Sequence, residues 1–333
     1  MSYLRLTFAS HRIALFAGSF VALSITTPAM SGCNSGNIAN TNLLSSVNCQ
    51  ANASAGNATA VGSGATASGS GNTGVGAFAK ATGGIGATAI GGSARALGRN
   101  TTAVGSFVGP PDSAVEGATM IGRYAGTQGA GIYSTIVGGS NTESTSAQAL
   151  GGYSIAIGGG DIETLRGARA NGFRSIAMGQ NSITADFGTS VGFNTNTAFA
   201  STALGTDAQA LGDSSSAFGR FANASGNAAV ALGKAAVASK PRSVAIGSGS
   251  LANVADTVSV GTNTARRRIV NVQNGVANSD AATLGQVKAI ATTAAETANA
   301  DLQQEVAELR TLVKQQQQEL AALKGQKAAA LSQ

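Results

Sequence analysis

The residues able to do chemistry are few and poorly placed for it. One histidine, His11, serves the whole 333-residue chain, and it lies in a stretch that reads as an export signal. Once that stretch is removed no imidazole remains, which excludes Ser-His-Asp and Cys-His catalysis and His-ligated zinc. Two cysteines follow, Cys33 and Cys49, sixteen residues apart. In an oxidising compartment they are expected to form one local disulfide. Met30-Ser31-Gly32-Cys33 also reads as a lipobox, with Cys33 acylated and Cys49 left over, and metal binding by the two thiols is a third alternative. The densest charge is Arg266-Arg267-Arg268. By residue type it is a solvated basic patch, too short and too poor in aromatics for nucleic acid. Only 11% of residues are charged, so no acid–base cluster of the kind a solenoid lyase or hydrolase needs stands out. The expectation is a non-enzymatic protein with no cofactor and no metal site.

The elements that carry these residues follow from composition. Glycine supplies 46 residues, tryptophan none, and aromatics 5%, while 43% of the chain is apolar. That is too hydrophobic for disorder and too small-residued for an ordinary enzyme core. Four prolines cannot sustain collagen triplets. Arg5 and Arg12 precede an apolar run over 13–25, and Ala29-Met30-Ser31 is a small-x-small cleavage site. Residues 1–31 are therefore expected to direct export, leaving a mature chain without a transmembrane segment and with a net charge of about +4 in place of +6. So mild an excess leans towards acidic surfaces without naming one.

Repetition dominates the middle of the chain. Written in sevens from Thr206, the sequence reads TDAQALG, DSSSAFG, RFANASG, NAAVALG, KAAVASK, PRSVAIG. From Ser214 onward a large residue fills every second sixth position (Phe218, Leu232, Ile246, Val260), so the period is fourteen. Glycine in nearly every unit excludes a coiled coil here. A β-solenoid fits: each coil would hold two short strands, with one large aliphatic inward, alanine in the remaining space, and glycine at positive-φ turns. One such residue per coil makes a thin core, so oligomerisation through Ala- and Val-bearing faces is expected. Between Gly105 and Gly179 the spacing loosens around Pro110-Pro111-Asp112 and Asp161–Arg166, read either as loops bulging from the roll or as a ligand-facing rim. Calcium-binding rolls need an Asp where these repeats carry Ala. Ice binding would need Thr in register on every coil, and Thr195-x-Thr197 is an isolated instance.

After residue 287 glycine almost vanishes. Leu302, Val306, Leu309, Val313, Gln316, Leu320 and Leu323 alternate in steps of four and three, a coiled-coil seam with one polar core position. The pattern does not fix the number of chains.

Ser243-Val244-Ala245-Ile246-Gly247, with echoes at 154–158 and 175–179, resembles the head repeat of the YadA-like trimeric autotransporter adhesins. Asp256–Gly261, Arg267–Val272 and Asp280–Val287 resemble that family's neck in order and spacing. The resemblance implies a mainly β, left-handed parallel β-roll head, trimeric, leading through a neck into a short α-helical coiled-coil stalk. It places an N-terminal segment at 32–54, the head at 55–255, the neck at 256–287, the stalk at 288–325 and a disordered tail at 326–333. It implies that Arg266, Arg267 and Arg268 pair between chains, with Asp256 or Asp280 as acceptors. It implies a homotrimer on the bacterial surface or outside the cell, meeting extracellular matrix proteins, glycans or other cell surfaces by many weak contacts. A structural fibre without ligand affinity is the alternative. Nothing near Gln333 shows the alternating pattern of membrane strands, so release, a lipid on Cys33, attachment to another surface component or a truncated copy are the expected substitutes for a barrel anchor.

Overall fold

Short alternating strands flanked by glycine fold into a parallel solenoid. The computed structural model describes residues 51–161 and 164–331; the export signal, Cys33 and Cys49 lie outside the described residues. Thirteen three-residue strands, beginning at Thr59–Val61, and a last two-residue strand, Val258–Ser259, form one 14-stranded parallel sheet. Two-residue strands form the facing wall as a 4-stranded sheet beginning at Asn52–Ala53 and an 8-stranded sheet ending at Leu251–Ala252. Consecutive coils pair in strict register, for example Ser216, Ala217 and Phe218 against Val230, Ala231 and Leu232. The roll thus begins and ends a few residues outside the expected 55–255.

Period-2 alternation sends the middle residue of each three-residue strand inward and its neighbours outward. The inward residue is almost always alanine, and Ala89, Ala103, Ala177, Ala217, Ala231 and Ala245 are fully buried. The large aliphatics expected inside are on the outside instead: Ile90, Leu204, Leu232 and Ile246 are 40–47% exposed. The reason is the narrowness of the interior. At Gly74, an inward position, even an added methyl would lie 2.8 Å from the Thr66 carbonyl oxygen of the facing wall. Among the described residues Met120 and Ile136 are the largest buried side chains, and glycine makes room for them: a Cβ on Gly126 would meet the Met120 sulfur at 2.6 Å.

The insertions leave the ladder intact. Thr135 pairs with Ile155 and Ile155 with Ile176, across twenty and twenty-one residues, and the extra chain leaves as loops between strands. Pro110 and Pro111, which lack an N–H, fall where the two-residue wall is interrupted, between Arg95–Ala96 and Gln148–Ala149. In the last coil, Leu251 N–H donates to the Gly261 carbonyl at 2.9 Å, so the connector covers part of an exposed sheet edge.

The second described unit is carried by helix α1, Leu284–Leu331. It starts four residues before the expected stalk and continues to Leu331, into the segment expected to be a disordered tail. Ala, Gln, Glu and Lys are strong helix formers and no proline interrupts them, which explains the extension. Thr195 and Thr197 are buried, and outward threonines stand in register elsewhere, at Thr59, Thr73, Thr88, Thr102, Thr119 and Thr135.

Gly219 tests the turn and Ala217 the interior. Gly219 has φ +126°, and an added Cβ would lie 2.7 Å from the Gly233 carbonyl carbon of the next coil. Gly219→Ala should destabilise the roll by roughly 1–3 kcal/mol, and Ala217→Leu by a similar amount through overpacking. Thermal unfolding followed by circular dichroism reads both. Unchanged transitions would mean that the walls separate more easily than the structure indicates.

Candidate assembly and binding surfaces

Hydrogen-bond register lines up the outward residues into ranks. The third residue of each three-residue strand stacks from Val61 through Val104, Ile157 and Leu204 to Ile246, one apolar side chain per coil. The first residue forms a parallel rank, threonine up to Thr135 and mostly Ile, Thr or Val beyond. Together they make an unbroken outward band of aliphatic side chains and threonine methyls. Exposed apolar area of this extent on a single chain marks a contact surface. The seven-residue writing of the sequence located these side chains but assigned them the wrong side of the wall.

Helix α1 repeats the pattern in helical form. Leu302, Leu309, Leu320 and Leu323 are more than half exposed, and Val306, Leu309 and Val313 line a shallow apolar hollow flanked by Arg310 and Lys314. Its start is fixed by a capping box. Thr283 Oγ1 accepts from Gln286 N–H at 3.2 Å, and Gln286 Oε1 accepts from Thr283 N–H at 3.1 Å. The same Gln286 amide clamps Gly275, accepting from its N–H at 2.9 Å and donating to its carbonyl at 2.8 Å. The neck resemblance covered Thr283 and Gln286 without showing this role; the Thr-x-x-Gln spacing was the available signal.

The charged neck residues are placed as follows. Asp256 forms a bidentate pair with Arg242, Nε to Oδ1 and Nη2 to Oδ2, the latter at 2.8 Å. Both occupy left-handed turn positions one coil apart. Asp280 Oδ2 accepts from Val276 N–H and Ala277 N–H, each at 2.9 Å. Arg266 and Arg268 are exposed. Both expected acceptors are thus engaged within their own chain. The hydrogen bond from Arg242 holds the Asp256 carboxyl below its ordinary value, and the backbone donors of Ala277 and Val276 do the same for Asp280.

The insertion loops are tied down by polar contacts. Asp161 Oδ1 accepts from Thr164 and Leu165 N–H, both at 2.8 Å, while its carbonyl accepts from Ser140 and Thr145. A shallow polar hollow between these loops is lined by Arg123, Ser140, Asn141 and Asp161. Among the described residues, no group of three or more His, Cys, Asp and Glu is arranged to hold a metal, and no helix is long and apolar enough to cross a membrane.

A parallel roll with an outward apolar band, followed by a capped helix with an exposed seam, defines a repeat-built head-and-stalk protein. The YadA head domain repeat matches residues 83–107, 197–222, 224–250 and 238–264, so these stretches of the roll are YadA-like head repeats. Among solved structures, the collagen-binding domain of the Yersinia adhesin YadA is 22% identical, with 70% of this chain and 90% of that chain covered and a TM-score of 0.26. No curated protein sequence matches the chain.

Two measurements follow. Thr283→Ala should cost about 1 kcal/mol of helix stability through loss of the cap, read as a lower helical melting temperature. A carboxyl whose folded pKa lies below its unfolded value, about 4, stabilises the fold above that pH and loses the contribution as pH falls through the folded value. The stability difference between the native chain and Asp280→Asn, measured in urea, should therefore be present at neutral pH and vanish in acid. A difference independent of pH would assign Asp280 no role as a charged cap.

Proposed function

We propose that three copies of this chain assemble into an adhesin that is displayed on a bacterial surface or released. Its head would bind extracellular matrix, host or other cell surfaces through many weak contacts in parallel. The observation that carries the reading is the unbroken outward apolar band of the 14-stranded sheet, which has no partner within the described chain. The exposed seam of α1 supports the same conclusion in a second unit, since a helix this long with an uncovered apolar stripe is suited to a coiled coil. The YadA head repeats support the adhesive role, and the collagen-binding domain of the Yersinia adhesin is a precedent for a matrix ligand. Export follows from residues 1–31, and the disulfide between Cys33 and Cys49 belongs to the same proposal.

In the assembled neck, Arg266, Arg267 and Arg268 are proposed to pair with carboxylates of neighbouring chains. An ionised carboxylate offers about four lone-pair sites. Asp256 and Asp280 each use two in the bonds described above, which leaves acceptor capacity for a second chain.

Light scattering on the chain from residue 32 onward should give three times the chain mass. Leu232→Asp combined with Ile246→Asp should yield a folded monomer with an unchanged β signal by circular dichroism. Retention on matrix-coated or cell-coated surfaces should then fall by about 10² or more, because avidity is lost with the trimer. A wild-type monomer would overturn the assembly. A trimer that binds no surface would leave the structural-fibre reading in its place.

A further inference from the structure

Five aromatic rings form an exposed ladder along one edge of the roll. Tyr133, Tyr153, Phe173, Phe187 and Phe199 lie in the turns that precede five consecutive strands of the long sheet. Successive ring centroids are 5.3, 5.6, 5.9 and 5.7 Å apart. The first pair stacks with 22° between planes and the other three contacts are edge-to-face. Each ring is 38–50% exposed, so the ladder presents a line of rings about 19 Å long, at one per coil.

Three of these rings stand on left-handed backbone. Tyr133, Tyr153 and Phe187 have φ of 54°, 57° and 57°. That region favours Gly and Asn, which hold the equivalent turn at Asn57, Gly86, Asn100 and Gly117, while Arg174, Ala200, Ser214, Ala228, Arg242 and Asp256 hold it elsewhere. A bulky aromatic there costs of order 1 kcal/mol, and such outliers cluster at ligand-binding sites. The rings contribute nothing to the alanine interior.

We infer that the ladder is a binding strip for an extended neutral polysaccharide, a linear chain of β-linked pyranoses lying along the roll axis. This deepens the adhesin reading and rests on it. A pyranose carries an apolar face of C–H bonds that packs on the negative face of an aromatic ring, and its length is comparable to the ring spacing. The charges beside the ladder select against other linear polymers. Glu116 lies beside Tyr133, Asp186 accepts from Phe173 N–H at 2.7 Å, and one guanidinium, Arg174, lies 5.0 Å from the Phe173 ring centre. With Arg99 also close to Tyr133, the two carboxylates and two guanidinium groups balance, so a polyanion gains no net attraction, whereas hydroxyl groups can bond to both kinds. A polyproline helix repeats its face about every 9 Å, close to two rungs, but it carries no N–H or hydroxyl to donate to the carboxylates beside the rings.

The test uses the full chain from residue 32 onward. Affinity electrophoresis through hydroxyethylcellulose and titration with cellohexaose are the probes, with heparin and polyproline as comparators. From residue 32 onward the chain has no Trp and three Tyr, of which Tyr133 and Tyr153 lie in the ladder and Tyr124 outside it, so tyrosine emission on titration reads mainly the ladder. We expect retardation by the neutral glucan and at least tenfold weaker binding in Tyr153→Asn with Phe187→Asn, with the native mass retained. Asn is accepted at this φ elsewhere in the roll, and Phe173→Ala with Phe199→Ala provides a second pair at positions without positive φ. No glucan binding by the native chain overturns the strip but leaves matrix and cell binding, measured separately, to judge the adhesin reading. Loss of oligomeric mass in both pairs would make the ladder a subunit contact and also overturn it. So would preferential binding of heparin or polyproline.

Discussion

The separation of the two walls of the roll is the constraint on which the other features depend. A methyl group nearly fills the space between a three-residue strand and the facing two-residue strand, and at Gly74 not even that fits. Alanine is then the largest residue most coils accept inside, and the cohesion of the chain comes chiefly from the ladder of hydrogen bonds between coils. Such a ladder demands register, which explains the regular return of glycine. At Gly219 the chain passes so near Gly233 of the next coil that a side chain would enter its backbone. A buried alanine removes little apolar surface from water compared with leucine, while each residue fixed in a coil loses conformational freedom. The large apolar side chains that the interior excludes stand on the outer face instead.

That exclusion links the narrow core to assembly. Period-2 alternation puts every excluded large side chain on the outside of the same wall, and strict register aligns them. The outward band is therefore a geometric consequence of the alanine interior. Helix α1 presents its apolar side chains differently, with its seam left-right continuous over several turns and its first turn fixed by Thr283 and Gln286. In both units the apolar side chains stand exposed while hydrogen bonds join the backbone within the chain.

Much of this was legible in the sequence, and the exceptions have physical causes. The fourteen-residue period, the glycine turns and the C-terminal helix are local patterns and survive in the structure. The sidedness of the large residues is not local. Alternation separates Ala217 from Phe218 but does not say which faces inward, and the usual preference for large residues inside fails when the walls are this close. The helix extension past residue 325 reflects propensity outweighing the absence of seam residues. Asp256 was assigned to the neck from its position in a motif. Its partner Arg242 lies fourteen residues earlier, one coil away, and is adjacent only once the roll is wound.

The aromatic ladder was hidden for a related reason. Tyr133, Tyr153, Phe173, Phe187 and Phe199 are separated by unequal steps along the chain, because loops of different length leave the roll between them. Pairing of strands restores an even spacing that the sequence lacks. The same pairing holds the strained turns in place. Tyr133 N–H donates to the Glu116 carbonyl at 2.8 Å, Tyr153 N–H to Ile132 at 2.8 Å and Phe187 N–H to Phe173 at 2.9 Å, each bond reaching the preceding coil. A left-handed aromatic residue that would be rare in a free loop is here fixed by a bond on each coil, and its ring is carried outward. The insertions and the ladder are thus one arrangement: the loops lengthen the coils, and the coils keep the rings in line.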